Sequence, residues 1–342
     1  MDSLVKKDLE KQGYRIVGNH SAVKVCLWCK RAIKNEDVCY KQTFYGIKSN
    51  RCIQSSVSVT NCTHKCVFCW RSLEHTDTEE IKNPDSPKDI VDGLIKEQTL
   101  FLKGFKGNTQ TDATKYREST LPKHIALSLA GDATLYPLLP ELIEEIHSRD
   151  MTSFLVTNGQ QPEMLKKLIK NPPTQTYITL PAPNEEVYKK TCNPHHKDGW
   201  DRLMKSLEIL QKFPRATIRL SVMKELNLVN PEEYAKLIKK FPPQFVEVKA
   251  VMSVGYAQYR TDYKQMARHE DIKEFSKKIA KELGWKIVAE KAESRVTLIM
   301  KEDEDRYLFF PHDIQDKANQ EIHKDKEEWE AIQEAKKSQE QQ

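Results

Sequence analysis

Three cysteines, Cys62, Cys66 and Cys69, stand in the run "SVSVTNCTHKCVFCWRS" (56–72) with the spacing C-x3-C-x2-C. Thiolates so spaced can hold three irons of a cubic 4Fe–4S cluster, a group that ordinarily takes four cysteines. A missing fourth ligand leaves one iron open to bind something else, the mark of a reactive metal site rather than a structural one. The alternative is a Cys3His zinc site, with His64 or His75 as the fourth ligand. Zinc modules usually show paired C-x2-C units in a compact fold of their own. This triplet instead follows a β-rich run.

A second set lies upstream: Cys26, Cys29, Cys39 and Cys52. "CLWC" (26–29) alone suggests a zinc knuckle or a redox pair. Cys26, Cys39 and Cys52 also form a regular triplet that could hold a second cluster with an open iron, and Cys29 is then a candidate fourth ligand. Cys192, in "TCNPHH", follows neither pattern and reads as structural, with His195 and His196 as loop residues. The five tryptophans read as packing.

From Ser55 onward, short runs rich in Val, Ile, Leu and Thr alternate with helical patterns. The strand expectations are 55–60, 124–130, 152–157, 175–180, 216–222 and 244–251. Helical spacing appears at 86–105, 138–148, 162–170, 199–213, 231–241 and 270–284. Ser86 before Pro87 and Asn230 before Pro231 are start signals. Six strand–helix units in series predict an α/β fold with a parallel sheet: a partial (β/α)6 TIM-like barrel with a wide mouth. Residues 1–54 read as an N-terminal extension without a large core of its own. Residues 285–342 read as a small C-terminal extension, with short strands at the sheet edge and a polar tail from about Asp313.

In parallel barrels, chemistry sits on loops at the C-terminal strand ends. Those positions carry the first cysteine triplet, then "GDATLYP" (131–137), "TNG" (157–159), "PAPN" (181–184), "MKELN" (223–227) and "MSVGYAQYR" (252–260).

The 342 residues, 38% of them hydrophobic, suffice for one large barrel or two domains. No apolar run approaches the roughly 18 residues of a membrane span, and the charged N-terminus lacks the core of a signal peptide. A reducing cytoplasmic location is expected, where eight cysteines favour metal or catalytic roles over disulfides. Residues 1–300 carry 48 basic and 37 acidic side chains, while 301–342 carry 7 and 13. A basic body with an acidic tail suits a polyanion such as RNA, or is ordinary solvated surface.

Cys62-x3-Cys66-x-Phe68-Cys69 resembles the C-x3-C-x-Φ-C signature of radical S-adenosylmethionine (SAM) enzymes, here after the first of six βα units. "AGD" (130–132) stands where that superfamily has a Gly-Gly-Glu-like motif, with Asp132 in place of Glu. "TNG" (157–159) is similar to its third strand end. The resemblance covers roughly 55–284. It implies a radical SAM barrel, a cluster on Cys62, Cys66 and Cys69, and SAM contacts from Phe68, Gly131, Asp132, Asn158 and Ser221.

"CYKQTFYGIKSNRC" (39–52), the run "SVSVTNCTHKCVFCWR" and "KIVAEKAESRVTLI" (286–299) resemble the wyosine-base-forming branch of these enzymes, the tRNA 4-demethylwyosine synthases. The likeness is to the archaeal type. Eukaryotic members carry a flavodoxin-like domain upstream for which this chain has no room, so a separate one-electron reductant is implied. The branch acts as a carbon–carbon lyase on 1-methylguanosine at position 37 of phenylalanine tRNA, adding two carbons of pyruvate. By resemblance, Cys26, Cys39 and Cys52 hold a second 4Fe–4S cluster, and Lys41 forms an imine with pyruvate. Tyr256, Tyr259, Arg260 and Lys264 are candidates to grip the unstacked anticodon loop. A monomer is expected. Two other readings stand open: a radical SAM maturase whose second cluster relays electrons, and a zinc-binding RNA adaptor without catalysis.

Overall fold

The structure, a computed structural model, describes residues 1–308. The polar tail expected from Asp313 lies outside these residues. Ten strands form one sheet among the described residues: β1 (Arg15–Val17), β2 (Ser21–Val23), β3 (Cys52–Ser56), β4 (His124–Leu127), β5 (Thr152–Thr157), β6 (Gln175–Thr179), β7 (Ala216–Val222), β8 (Phe245–Ala250), β9 (Lys286–Lys291) and β10 (Val296–Met300). Their order is β1-β2-β3-β4-β5-β6-β7-β8-β10-β9, with β1 and β9 at the two open ends. Strands β3 to β8 are parallel, as six βα units require. The hairpin β9–β10 adds antiparallel to β8.

Alternation along the strands explains the two faces. Ile53, Ile125, Leu155, Ile178, Ile218 and Val248 pack outward against Leu94, Leu142, Leu165, Leu207 and Ile238 of the crossover helices in one large core. The first crossover helix, Pro87–Leu102, starts as its sequence predicts, with Ser86 Oγ accepting from Asp89 N at 3.2 Å. Asn230 behaves differently: it takes φ +47 and makes no side-chain cap. Its amide side chain tolerates the left-handed turn that feeds the helix Pro231–Lys240.

Strand β3 ends at Ser56 rather than continuing to residue 60. The alternating "SVSVT" looks extended, but its backbone turns away. Val59 N donates to His20 O at 3.0 Å, and Asn61 N donates to Ser58 O at 2.9 Å. β4 likewise stops at Leu127, because Ser128 N and Leu129 N both fold back onto Ser55 O at 3.0 Å.

The boundary expected at residue 54 falls inside β3, and the first 54 residues add two strands to the same sheet. They also hold the helices Ser3–Lys11, Leu27–Ile33 and Tyr40–Tyr45. The last of these enters the barrel. Tyr40, Phe44, Tyr45 and Ile47 pack against the inward-facing Ala126, Phe154, Tyr177 and Phe245. Helix Tyr40–Tyr45 is therefore the floor of the barrel, closed further where Leu308 N donates to Tyr45 O at 2.8 Å.

Candidate active site: two cysteine triplets facing one lumen

At the mouth, the loop after β3 carries Cys62, Cys66 and Cys69. It is stitched to its neighbours by backbone bonds: Cys62 N to Asp77 O at 2.8 Å, and Lys65 N to Cys192 O and Val67 N to Thr191 O, each at 3.0 Å. Arg260 clamps it from the other side, donating to Val67 O at 3.2 Å and also to Cys69 O. Arg71 is buried beside the triplet, and its Nη2 has no hydrogen-bond partner. Burial pushes the Cys62 thiol up to about 12, while the Arg71 guanidinium pulls against that rise. A thiolate-bound, negatively charged group would satisfy both the orphaned nitrogen and the buried sulfurs.

Gly131 and Asp132 sit directly under this loop. Gly131 takes φ +69, and a Cβ there would lie 1.7 Å from Ser58 O, so only glycine lets the two loops close. Asp132 is buried, and both its oxygens are engaged. Oδ1 accepts from Thr134 Oγ1 at 2.6 Å, and Oδ2 accepts from Asn158 N at 2.8 Å and Thr157 Oγ1 at 2.9 Å. Asn158 then reaches the triplet, with Nδ2 at 3.7 Å from Cys62 Sγ. Phe68 is half-buried on the cysteine loop itself. Ser221 lies half-buried on the inward face of β7, two residues from Arg219.

At the floor, Cys26 and Cys39 precede the helices Leu27–Ile33 and Tyr40–Tyr45, and Cys52 opens β3. Each sulfur lies within the field of the other two, and burial raises the Cys39 thiol to about 11 and the Cys52 thiol to about 12. Lys41 pulls all three the other way. Cys29 lies within the field of Cys52 and Cys26 as well; its Sγ is 3.7 Å from Asn50 O and 3.9 Å from Gln98 Nε2, packed with Val25, Ile33 and Leu102.

Between the triplets the lumen is lined by charge. Lys41 is buried, with Nζ 4.5 Å from the Phe154 ring and 4.7 Å from the Tyr177 ring. Its pKa is lowered by burial first and by Arg219 next. Arg219 Nη2 donates to Glu247 Oε2 at 2.8 Å and to Tyr40 Oη at 2.7 Å, and Tyr45 Oη donates to Glu247 Oε1 at 2.6 Å. Lys249, two residues beyond Glu247, reaches Ser294 O at 2.7 Å, and burial lowers its pKa to about 8. His124 is fully enclosed and held neutral, its pKa down to about 3 through burial and then Arg51.

Residues 56–238 match the radical SAM superfamily, and residues 241–301 match the family of wyosine base formation. A Pyrococcus abyssi protein, the S-adenosyl-L-methionine-dependent tRNA 4-demethylwyosine synthase, is 46% identical over 86% of this chain and 88% of its own. The chain belongs to that radical SAM family. Among solved structures, TYW1 with a lysine–pyruvate adduct bound is 31% identical with a TM-score of 0.81, covering 90% of this chain and 98% of that one. Archaeal TYW1 gives 28% and 0.74, covering 90% and 100%.

Membership in the radical SAM family brings SAM and a 4Fe–4S cluster, and the mouth triplet has the donor set for that cluster. The zinc reading has a geometric counterpart, since ligand atoms of His64, Cys66 and Cys192 lie within 4.8 Å of one another. It would take Cys66 out of the triplet, and His64 Nε2 is already 2.8 Å from Tyr188 Oη. Cys192 is buried behind Cys66.

The four residues expected to grip RNA divide. Tyr259 is 77% exposed and Lys264 is exposed, beside exposed Trp70 and Tyr263, so these can meet a ligand at the rim. Arg260 is spent on the cysteine loop, and Tyr256 Oη reaches the Asp8 carboxylate at 3.3 Å. Sequence reading missed Arg219, Glu247, Lys249 and His124. For the first three the signal was present in "TIRLSV" and "FVEVKA", where Thr217, Arg219 and Ser221, and Glu247 and Lys249, take alternate places between apolar residues.

Proposed function

We propose that this chain joins the N-methylated guanine at position 37 of phenylalanine tRNA to two carbons of pyruvate, forming the tricyclic 4-demethylwyosine base in the cytoplasm. The observation that carries this reading is a buried lysine, Lys41, set in a cationic lumen between two cysteine triplets. Cys62, Cys66 and Cys69 would hold the cluster that, with SAM bound, would supply a 5′-deoxyadenosyl radical able to take hydrogen from the N-methyl group. Cys26, Cys39 and Cys52 fit a second 4Fe–4S cluster, which would supply a further site for an anionic ligand.

Lys41 is the nucleophile. Among the described residues no carboxylate pairs with it, and burial together with Arg219 favours its neutral amine. The amine attacks the pyruvate carbonyl, whose oxygen leaves as water when the imine forms. Phe154 and Tyr177 flank the nitrogen and exclude solvent from the imine. Asp132 and Asn158 hold the loop that faces SAM, with Phe68, Gly131 and Ser221 as further contacts. The rim around Tyr259 and Lys264 receives the unstacked base and its backbone. The carbon radical adds to the imine carbon, scission of the bond to the carboxylate expels the carboxyl carbon as a CO2 radical anion that is quenched by one electron transfer, and the guanine amine displaces Lys41 from the restored imine, which closes the ring and frees the lysine.

The test is incubation of anaerobic, cluster-loaded protein with SAM, a reductant, carbon-labelled pyruvate and tRNA carrying 1-methylguanosine. Tricyclic base retaining label from C2 and C3 but not from C1 is the expected result. SAM cleavage that never yields the base, with this tRNA and pyruvate present, would overturn the reading.

A further inference from the structure

Lys249 is the second inward lysine of the lumen, and its setting differs from that of Lys41. Its Nζ is tied to Ser294 O at 2.7 Å and lies 5.3 Å from the centre of the Tyr40 ring. Ser294 is buried in the turn that joins β9 and β10, so the tether is fixed by the sheet edge. An ammonium carries three donors, and the tether uses one. Lys41, by contrast, meets ring faces and its nitrogen is left to react.

The other charges of the lumen are committed. Arg219 spends Nε and Nη2 on Glu247 and Tyr40. Glu247 accepts from Arg219, Tyr40 and Tyr45, and it is fully enclosed. His124 is neutral. Among the described residues no carboxylate lies within ion-pair distance of Lys249. Lys249 thus keeps spare donors and a position fixed by the sheet edge, and its field, like that of Lys41, reaches Cys26 and Cys39. A 2-oxo acid presents a carbonyl to be attacked and an adjacent carboxylate to be held, so it needs one group of each kind.

We propose that Lys249 is the receptor for the carboxylate of the 2-oxo acid whose carbonyl meets Lys41. The proposal rests on the reading of Lys41 given above. Lys249 is a binding and positioning group: it holds the carboxylate so that the carbonyl carbon faces the Lys41 amine. It forms no covalent bond itself.

The experiment traps the imine. In cluster-loaded full-length protein, borohydride delivers hydride to the carbon–nitrogen double bond and leaves a stable secondary amine, located by peptide mass. Trapping is measured against pyruvate concentration, and separately with methyl pyruvate, which has the carbonyl but no carboxylate. Wild-type protein should label at Lys41. Lys249→Met should need about tenfold more pyruvate or beyond, as loss of a charge-assisted hydrogen bond implies. Its trapping of methyl pyruvate should be unchanged, which also reports an intact fold. Lys249→Arg should recover most of the pyruvate dependence. Label at Lys41 with the same pyruvate dependence in Lys249→Met overturns this proposal and leaves the Lys41 reading standing. Label on Lys249 itself overturns both assignments. Label on neither lysine removes the Lys41 reading and this proposal with it.

Discussion

The two ends of the barrel each bring three cysteines together, and they do so in opposite ways. At the mouth, a single eight-residue stretch carries Cys62, Cys66 and Cys69, and polar groups from the loops after β4, β5 and β8 hold that stretch in place. At the floor, Cys26, Cys39 and Cys52 each come from a different element. Their surroundings are the aromatic plug Tyr40–Tyr45 and the lysines Lys41 and Lys249. A loop-borne site depends on local hydrogen bonds; a floor assembled from three elements depends on the whole fold. The mouth offers Asp132 and Asn158 amid mixed polarity, whereas the floor offers Lys249, which no carboxylate pairs among the described residues, and so suits an anionic group.

Separate duties predict separable failures. Cys62→Ala should lower SAM cleavage by at least about 100-fold, measured as 5′-deoxyadenosine, while pyruvate still traps on Lys41. Loss of trapping in that variant would mean that the two ends are one unit. Cys39→Ala should invert the pattern, with SAM cleavage within a few-fold of wild type and no tricyclic base. Base formation by that variant would remove the floor triplet from the chemistry.

A smaller effect probes the frame between them. Glu247→Ala leaves Arg219 buried without its carboxylate, so chemical denaturation should show a loss of about 3–5 kcal/mol. A loss below about 1 kcal/mol would mean that the pair is solvated in solution.

The smallest effect is on pH dependence. His124 has a folded pKa of about 3, below the usual value near 6.5 for an unfolded histidine. Between those values the unfolded chain binds the proton and the native chain does not. Stability from this group is therefore complete above about pH 6.5 and is lost as pH falls toward 3. From pH 7.5 to pH 5 the wild type should lose about 2 kcal/mol more than His124→Gln. Parallel profiles would show that His124 is protonated in the folded protein.

The contrast between the ends also explains what sequence could reveal. The mouth triplet is compact in the chain, and the six βα units follow hydrophobic period, so both were legible, and β5 and β7 even in their limits. The floor was legible only in its cysteines. Its helices span seven and six residues, too few for a periodic signal, and they form because Phe44 and Tyr45 find a barrel to fill. The lumen charges were hidden for another reason. Arg219 and Glu247 look like ordinary surface residues until the alternation of β7 and β8 turns them inward together. Arg260 shows the converse: a basic residue in an aromatic loop reads as an RNA contact, but the fold brings it against the carbonyls of the cysteine loop.

The central claim is that two cysteine sites with different ligands serve one lumen. Iron analysis with EPR on anaerobically reconstituted protein tests it most directly, with SAM and pyruvate added separately and with Cys39→Ala alongside. The account predicts about eight irons per chain, one signal altered by SAM and another by pyruvate, and about four irons without the pyruvate response in the variant. About four irons in the wild type, or SAM and pyruvate altering the same signal, would contradict it.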